Sequence, residues 1–291
     1  MILLVGLVKT ARPKQWVKNV LVLAAPGAAG VFDNGTVIWH SIVAFLAFTV
    51  AASGTYLIND ALDVEADRLH PTKRFRPIAA GVVPVRLAMV VGVACMVVAP
   101  VAGGLLARPA LGFVVGAYVL MTLAYSSKLK HVPLVEMFIV AAGFLLRAIA
   151  GGAATGIPLS QWFLIVASFG SLFLVVGKRY ADVTEFGVGA ASHRKALSAY
   201  PIGFLRQVRD VCVAVTLLAY CLFAFERAIG ISGPPWYQLS IAPVALGLLQ
   251  YSLLLEQGHG GAPEEVLLHN RQLQIYGLLW AILFGLGVLN S

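Results

Sequence analysis

Charge is scarce in this sequence. Only 12% of its 291 residues are Asp, Glu, Lys or Arg, against 59% hydrophobic, and mean hydropathy is +0.87. A soluble domain of this length could not cover so much apolar surface, which excludes an ordinary water-soluble enzyme and reads as a polytopic membrane protein. Cysteine is nearly absent. Cys95, Cys212 and Cys221 all fall in apolar runs, their number is odd, and no CxxC or Cys/His spacing occurs. Neither a disulfide framework nor a zinc site is indicated. The six His residues (40, 70, 131, 193, 259 and 269) likewise lack ligand spacing. There is no low-complexity linker and no soluble appendage, so residues 1–291 read as one domain. Met1–Val8 is too short for a cleaved signal peptide, and its cations Arg12, Lys14 and Lys18 follow it rather than precede it. It reads as part of the mature chain.

What is abundant is apolar length. A membrane span needs about 20 apolar residues, and that scale gives nine candidates: 17–32, 37–58, 84–107, 109–127, 132–153, 160–177, 208–229, 237–257 and 272–290. The first is short and rich in Gly and Ala. With the N-terminus in the cytoplasm, 18 of the 21 Lys and Arg residues fall inside, Arg194 and Lys195 among them. Arg108 and Arg227 fall outside, and Arg147 lies within a span. The positive-inside rule therefore fixes the orientation and puts the polar segments in the cytoplasm. The same distribution turns a net charge of +8 into a topology signal rather than a nucleic-acid footprint. Gly103-Gly104 and Gly151-Gly152 suit close helix packing in a bundle.

The polar stretch Asn59–Gly81 follows directly on the second span. At about 100° per helical residue Asp60, Asp63 and Asp67 fall at about 0°, −60° and −20°, so all three carboxylates share one face. Three carboxylates in that arc repel one another unless a cation sits between them, and oxygen-only ligands suit Mg²⁺, which is commonly shared with substrate phosphates. Lys73, Arg74 and Arg76 follow closely and would hold remaining phosphate charge. The alternative is a solvated helix end whose acids pair with those cations. Placement at the mouth of a membrane helix favours the functional reading, because ionisable groups there are costly.

A second polar cluster, Lys178, Arg179, Tyr180, Asp182 and Glu185, ends the sixth span. Spans two and six run in the same direction with four spans between them, as in a worn parallel repeat with its site where the halves meet. Two acidic clusters would hold two Mg²⁺ ions, or one ion and a positioning base. Lys178 and Asp182 at i, i+4 serve equally as an ordinary helix pair. Arg12, Lys14 and Lys18 precede the first span with Trp16 among them, and read either as an interfacial anchor or as phosphate ligands. Glu136 lies near the cytoplasmic side of span five. Arg147 lies deep enough to demand a partner, and Glu65 reads as structural.

Asn59-Asp60-x-x-Asp63-x-x-x-Asp67 at the end of the second of nine spans resembles the first motif of the UbiA-type intramembrane prenyltransferases. His70-Pro71-x-Lys73-Arg74-x-Arg76-Pro77 with Gly81 resembles its continuation, and the resemblance covers essentially the whole chain. Arg12-Pro13-Lys14-Gln15-Trp16-Val17-Lys18-Asn19 and Gly177-Lys178-Arg179-Tyr180-Ala181-Asp182 are similar to one branch, the polyprenyl-phosphate phosphoribosyltransferases. The resemblance implies an all-α bundle of nine transmembrane helices with a cytoplasm-facing active-site cavity, in a bacterial inner membrane. It also implies a Mg²⁺-dependent enzyme that moves 5-phosphoribosyl from phosphoribosyl diphosphate (PRPP) to a polyprenyl (decaprenyl) phosphate for cell-envelope arabinan. Asp60, Asp63 and Asp67 would hold the metal. Lys73, Arg74, Arg76, Lys178 and Arg179 would hold phosphates, Lys14 and Lys18 the acceptor head, and Asn59 a ligand or sugar hydroxyl, with Tyr180 and Asp182 also in the substrate site. Ordinary family members carry a second DxxxD motif, whereas the position four before Asp182 is Lys178. That departure fits a donor with an additional phosphate. The alternatives are a prenyltransferase acting on an aromatic or quinone-precursor acceptor, and a transporter or lipid carrier. Beyond PRPP, the lipid phosphate and the bilayer, no nucleic-acid partner is expected, and a homo-oligomer stays open.

Overall fold

The computed structural model describes residues 2–186, 199–260 and 263–290. Arg194 and Lys195, counted above among the cytoplasmic cations, lie outside the described residues. Every regular element among them is helical. In order these are α1 (Ile2–Thr10), a 3₁₀ helix (Pro13–Leu23), α2 (Ala24–Ala29), α3 (Gly35–Leu62), α4 (Val64–Leu69) and a 3₁₀ turn (Lys73–Phe75). Then follow α5 (Val85–Leu106), α6 (Pro109–Ser127), a 3₁₀ turn (Leu129–His131), α7 (Val135–Thr155), α8 (Gln161–Phe186), α9 (Ile202–Arg227) and α10 (Trp236–Leu239). The last three are α11 (Ile241–Glu256), α12 (Pro263–His269) and α13 (Arg271–Leu289).

Among the described residues eight helices are long and apolar enough to cross a membrane, α10 and α11 together forming one of them. The all-α polytopic expectation therefore holds, and the count of spans differs by one. The first candidate, 17–32, is not a continuous α-helix but a 3₁₀ stretch followed by the six residues of α2. Pro13 opens it, Pro26 lies inside α2, and Gly30 ends α2 in the left-handed region at φ 70°. Prolines and glycines of this kind interrupt an α-helix regardless of how apolar the run is.

The chain divides into two compact units. The first comprises Met1–Ser127 and Leu146–Pro158, the second Lys128–Leu145 and Leu159–Ser291. In the first, α3 is the central helix. Asn34 caps it by accepting from the N–H groups of Thr36 (2.9 Å) and Val37 (3.4 Å), and its interior packs against α5 and α6. Gly54 and Gly92 let α3 and α5 approach closely: a Cβ at Gly54 would stand 2.8 Å from the Gly92 carbonyl oxygen. The core there joins Val22, Phe48, Leu111, Val115, Ala150 and Ala154. A smaller core of Leu57, Val64, Ile78 and Val83 lies under the turn that follows α4. In the second unit α8 packs along α9 and α11 packs against α13, around Met137, Phe173, Val176, Leu205, Tyr251 and Leu255.

Candidate active site

The acidic motif of the first unit sits on a broken helix. α3 ends at Leu62, Asp63 adopts φ −91°, ψ 8°, and α4 starts at Val64. Backbone bonding continues across the break, from Asp63 N–H to the Asn59 carbonyl (2.9 Å) and from Asp67 N–H to the Asp63 carbonyl (2.8 Å). The result brings Asp60 and Asp67, 2% and 3% exposed, onto a single guanidinium. Nη1 of Arg76 donates to Asp60 Oδ1 at 3.1 Å and to Asp67 Oδ2 at 2.7 Å. A second arginine, Arg12, donates from Nη2 to the same Asp60 oxygen at 2.7 Å. Asp63 and Asn59 are half-buried at the break.

The turn after α4 aims Arg76 inward. His70 Nδ1 accepts from the N–H groups of Thr72 (3.2 Å) and Lys73 (3.3 Å), which tightens the chain into the 3₁₀ turn. Ile78 then plugs into the small core at 1% exposure. Lys73 and Arg74 are exposed, with Arg74 over the Phe75 ring at 4.8 Å. Glu65 pairs with Arg68 at 2.9 Å on the surface.

Arg147, whose partner the sequence did not reveal, is anchored in the same unit. Its Nε donates to Asn19 Oδ1 at 2.8 Å and its Nη2 to the Tyr118 hydroxyl at 3.1 Å. Asn19 in turn donates to Thr49 Oγ1 at 3.0 Å. Close by, Gly151 lies against the Val22 carbonyl with no room for a Cβ. This network clamps the 3₁₀ helix Pro13–Leu23, which carries an exposed Lys14 and a half-buried Lys18.

In the second unit Lys178 is exposed, while Arg179 and Tyr180 are buried. Arg179 holds Glu136 through two bonds, at 2.7 and 2.8 Å, and reaches Asp182 at 3.2 Å. Asp182 therefore pairs with the residue three before it. Tyr180 donates to Glu256 Oε2 at 2.9 Å, and Glu256 also accepts from Arg206 (3.0 Å) and Arg209 (2.6 Å). Tyr200 accepts from the Leu134 N–H at 2.6 Å, with Leu134 at φ 66°. Burial pushes the Tyr200 phenol above the ordinary tyrosine range, and the neighbouring Glu136 charge adds to this. Sequence reading missed Arg12, Tyr200 and Glu256 as partners in these clusters. Arg12 was legible as an interfacial or phosphate-binding cation, but not as a partner of Asp60.

No three His, Cys, Asp or Glu side chains among the described residues are gathered as a metal-holding group. Two buried carboxylates on one guanidinium still suit Mg²⁺, which usually needs only one or two protein carboxylates beside waters and substrate phosphates. Asp60 and Asp67 fit that donor set.

The description "UbiA prenyltransferase family" matches residues 20–283. A decaprenyl-phosphate phosphoribosyltransferase of Mycobacterium tuberculosis is 48% identical over 290 residues, 98% of this chain and 95% of that protein. One of the same description from Corynebacterium glutamicum is 46% identical over 281 residues, 94% and 84%. A UbiA homologue from Archaeoglobus fulgidus, solved bound to DMAPP and Mg²⁺, matches with a TM-score of 0.73 and 18% identity, covering 97% of this chain and 98% of that one. At that identity the likeness concerns the fold.

Proposed function

Since this chain belongs to the UbiA prenyltransferase family and is an integral membrane protein, we propose that it transfers 5-phosphoribosyl from PRPP to a polyprenyl phosphate, releasing diphosphate. The observation that carries this reading is the near-full-length 48% identity to a decaprenyl-phosphate phosphoribosyltransferase. Lys178 in place of the first acid of a second DxxxD motif supports it, because PRPP brings one phosphate more than a prenyl diphosphate.

The chemistry asks for few groups. As the anomeric C–O bond breaks, negative charge develops on the departing diphosphate, and fixed positive groups aimed there lower the barrier. Asp60 and Asp67, with Asp63 beside them at the helix break, would hold Mg²⁺, which when bound supplies part of that charge neutralisation. Arg76, Lys73 and Arg74 take phosphate oxygens of the donor, arginine's planar fork being suited to them. Exposed Lys178 takes the 5-phosphate. Asp182, bonded to the buried Arg179 that Glu136 holds, and Tyr180, which donates to Glu256, are the other polar groups assigned to the substrate in this reading. Asn59 orients a ligand or a ribose hydroxyl. The acceptor phosphate is already anionic and needs no strong general base. Lys14 and Lys18, on the segment clamped by Arg147, hold it while its chain lies among the helices. Direct displacement inverts the anomeric configuration. Positive-inside distribution supports a cytoplasmic N-terminus and a cytoplasmic catalytic face in the bacterial inner membrane.

The test is a paired assay on the purified protein with Mg²⁺. One arm offers PRPP with polyprenyl phosphate, the other prenyl diphosphate with 4-hydroxybenzoate. Lipid-linked phosphoribose in the first arm alone is the expected result. Turnover in the second arm alone would replace this reading with an aromatic prenyltransferase, and binding without turnover in either would favour a carrier.

A further inference from the structure

The two buried carboxylates assigned above to the metal are already engaged by arginines. Arg12 and Arg76 both meet Asp60 Oδ1, at 2.7 and 3.1 Å, and Arg76 also meets Asp67 Oδ2 at 2.7 Å. Each of these two carboxylates is thus matched by a guanidinium. The acid side chains are 3% and 4% exposed, whereas those of Arg12 and Arg76 are 34% and 29% exposed, so the arginines stand on the open side. Arg12 is held there deliberately. Its backbone takes φ 53°, ψ 64°, a left-handed conformation uncommon for a residue with a side chain, and strain of this kind concentrates at functional positions. Its guanidinium also covers the Tyr56 ring at 4.6 Å.

We propose that Arg12 and Arg76 are exchangeable counter-ions: they neutralise Asp60 and Asp67 while the donor is absent, and release those oxygens to the divalent cation when the donor's phosphates arrive to receive the guanidiniums. This rests on the function proposed above. A dication arriving alone would meet two arginines already bonded to the buried carboxylate oxygens it needs. Arriving with a polyanionic diphosphate, it leaves every charge partnered, since the guanidiniums turn to phosphate oxygens, which suit them as well as carboxylates do. Metal and donor therefore bind with positive coupling, and by linkage each strengthens the other by the same factor.

The experiment titrates the purified full-length protein with Mn²⁺, following the spectrum of free Mn²⁺, first alone and then with PRPP. PRPP affinity is measured separately by equilibrium dialysis. In the wild type PRPP tightens Mn²⁺ binding by about fivefold or more, the lower end of typical coupling. Arg12→Gln and Arg76→Gln each bind Mn²⁺ more tightly than wild type without PRPP, and each bind PRPP more weakly. An arginine with a merely structural role would loosen both. Mn²⁺ affinity unchanged or weakened in the arginine variants, while Asp60→Asn loses Mn²⁺, overturns the exchange and leaves the proposed reaction standing. Asp60→Asn binding Mn²⁺ as the wild type does overturns the metal assignment itself, and the exchange with it. If one arginine variant does not fold, the other decides, because both meet the same Asp60 oxygen.

Discussion

Arg179 and Glu136, 43 residues apart, are joined by two parallel bonds, Nε to Oε1 at 2.7 Å and Nη2 to Oε2 at 2.8 Å. Glu136 is fully enclosed and the arginine side chain is 7% exposed. The pair links the start of α7 to the end of α8, and the third arm of the same guanidinium fixes Asp182 at 3.2 Å.

Removing one partner of this pair is the costly change. Glu136→Ala strands an enclosed guanidinium and is expected to destabilise the protein by about 3–5 kcal/mol, whereas replacing both residues by Met is close to neutral for stability. Thermal denaturation in detergent, run as a double-mutant cycle, measures the difference. Equal losses in single and double variants would refute the assignment.

The acids of the first unit are expected to separate in activity. Asp60→Asn and Asp67→Asn, at the buried oxygens met by Arg76, should each lower kcat/KM by about 100-fold or more, equivalent to about 2.7 kcal/mol of lost transition-state stabilisation. Glu65→Gln, exposed and paired with Arg68, should stay within about twofold, because a surface pair is worth about 0–1 kcal/mol. Steady-state assays with PRPP varied decide this, and a Glu65 effect as large as that of Asp60 would count against the site.

Arg147→Met leaves the Asn19 amide oxygen and the Tyr118 hydroxyl short of a donor. Stability should fall by about 1–3 kcal/mol, the usual penalty for orphaned buried polar groups. The loosened 3₁₀ helix should raise KM for polyprenyl phosphate more than KM for PRPP. A change confined to the PRPP constant would show that the segment does not serve the acceptor.

Tyr200 supplies a pH prediction. Its phenol titrates above the ordinary range because burial disfavours the phenolate. A folded pKa raised above the unfolded value of about 10 gives stability that is full below pH 10 and is lost as pH rises through the folded pKa. Melting temperature should therefore fall more steeply above pH 10 in the wild type than in Tyr200→Phe. At pH 7 the same variant should be less stable by about 1–3 kcal/mol, since the Leu134 N–H loses its acceptor. Parallel pH slopes would refute the assignment.

Hydrophobic run length was enough to locate every long span of the bundle, because apolar stretches of bilayer length have few other uses. At 17–32 it found an apolar run that is not a continuous α-helix, because Pro13, Pro26 and Gly30 decide the local geometry and run length is blind to them. The spacing of Asp60, Asp63 and Asp67 put three carboxylates on one helical face; the structure breaks the helix at Asp63, and it is Asp60 and Asp67 that meet on Arg76. What spacing could not supply was the partners. Arg12 lies 48 residues from Asp60, and Arg179 lies 43 from Glu136. Contacts over such separations depend on how helices stack, which no local pattern encodes. Arg147 was legible only as an unmet demand, a buried cation needing something polar, and Asn19 met it.

The bond between Asn19 and Arg147 spans 128 residues, which sets an order of assembly. At about 5–20 residues per second the ribosome makes the second of these residues roughly 6–26 s after the first. Through that interval the Pro13–Leu23 segment has neither the arginine that bonds Asn19 nor the glycine surface that seats Val22. The Pro13–Leu23 segment therefore settles only after α7, the fourth long helix among the described residues, has been delivered.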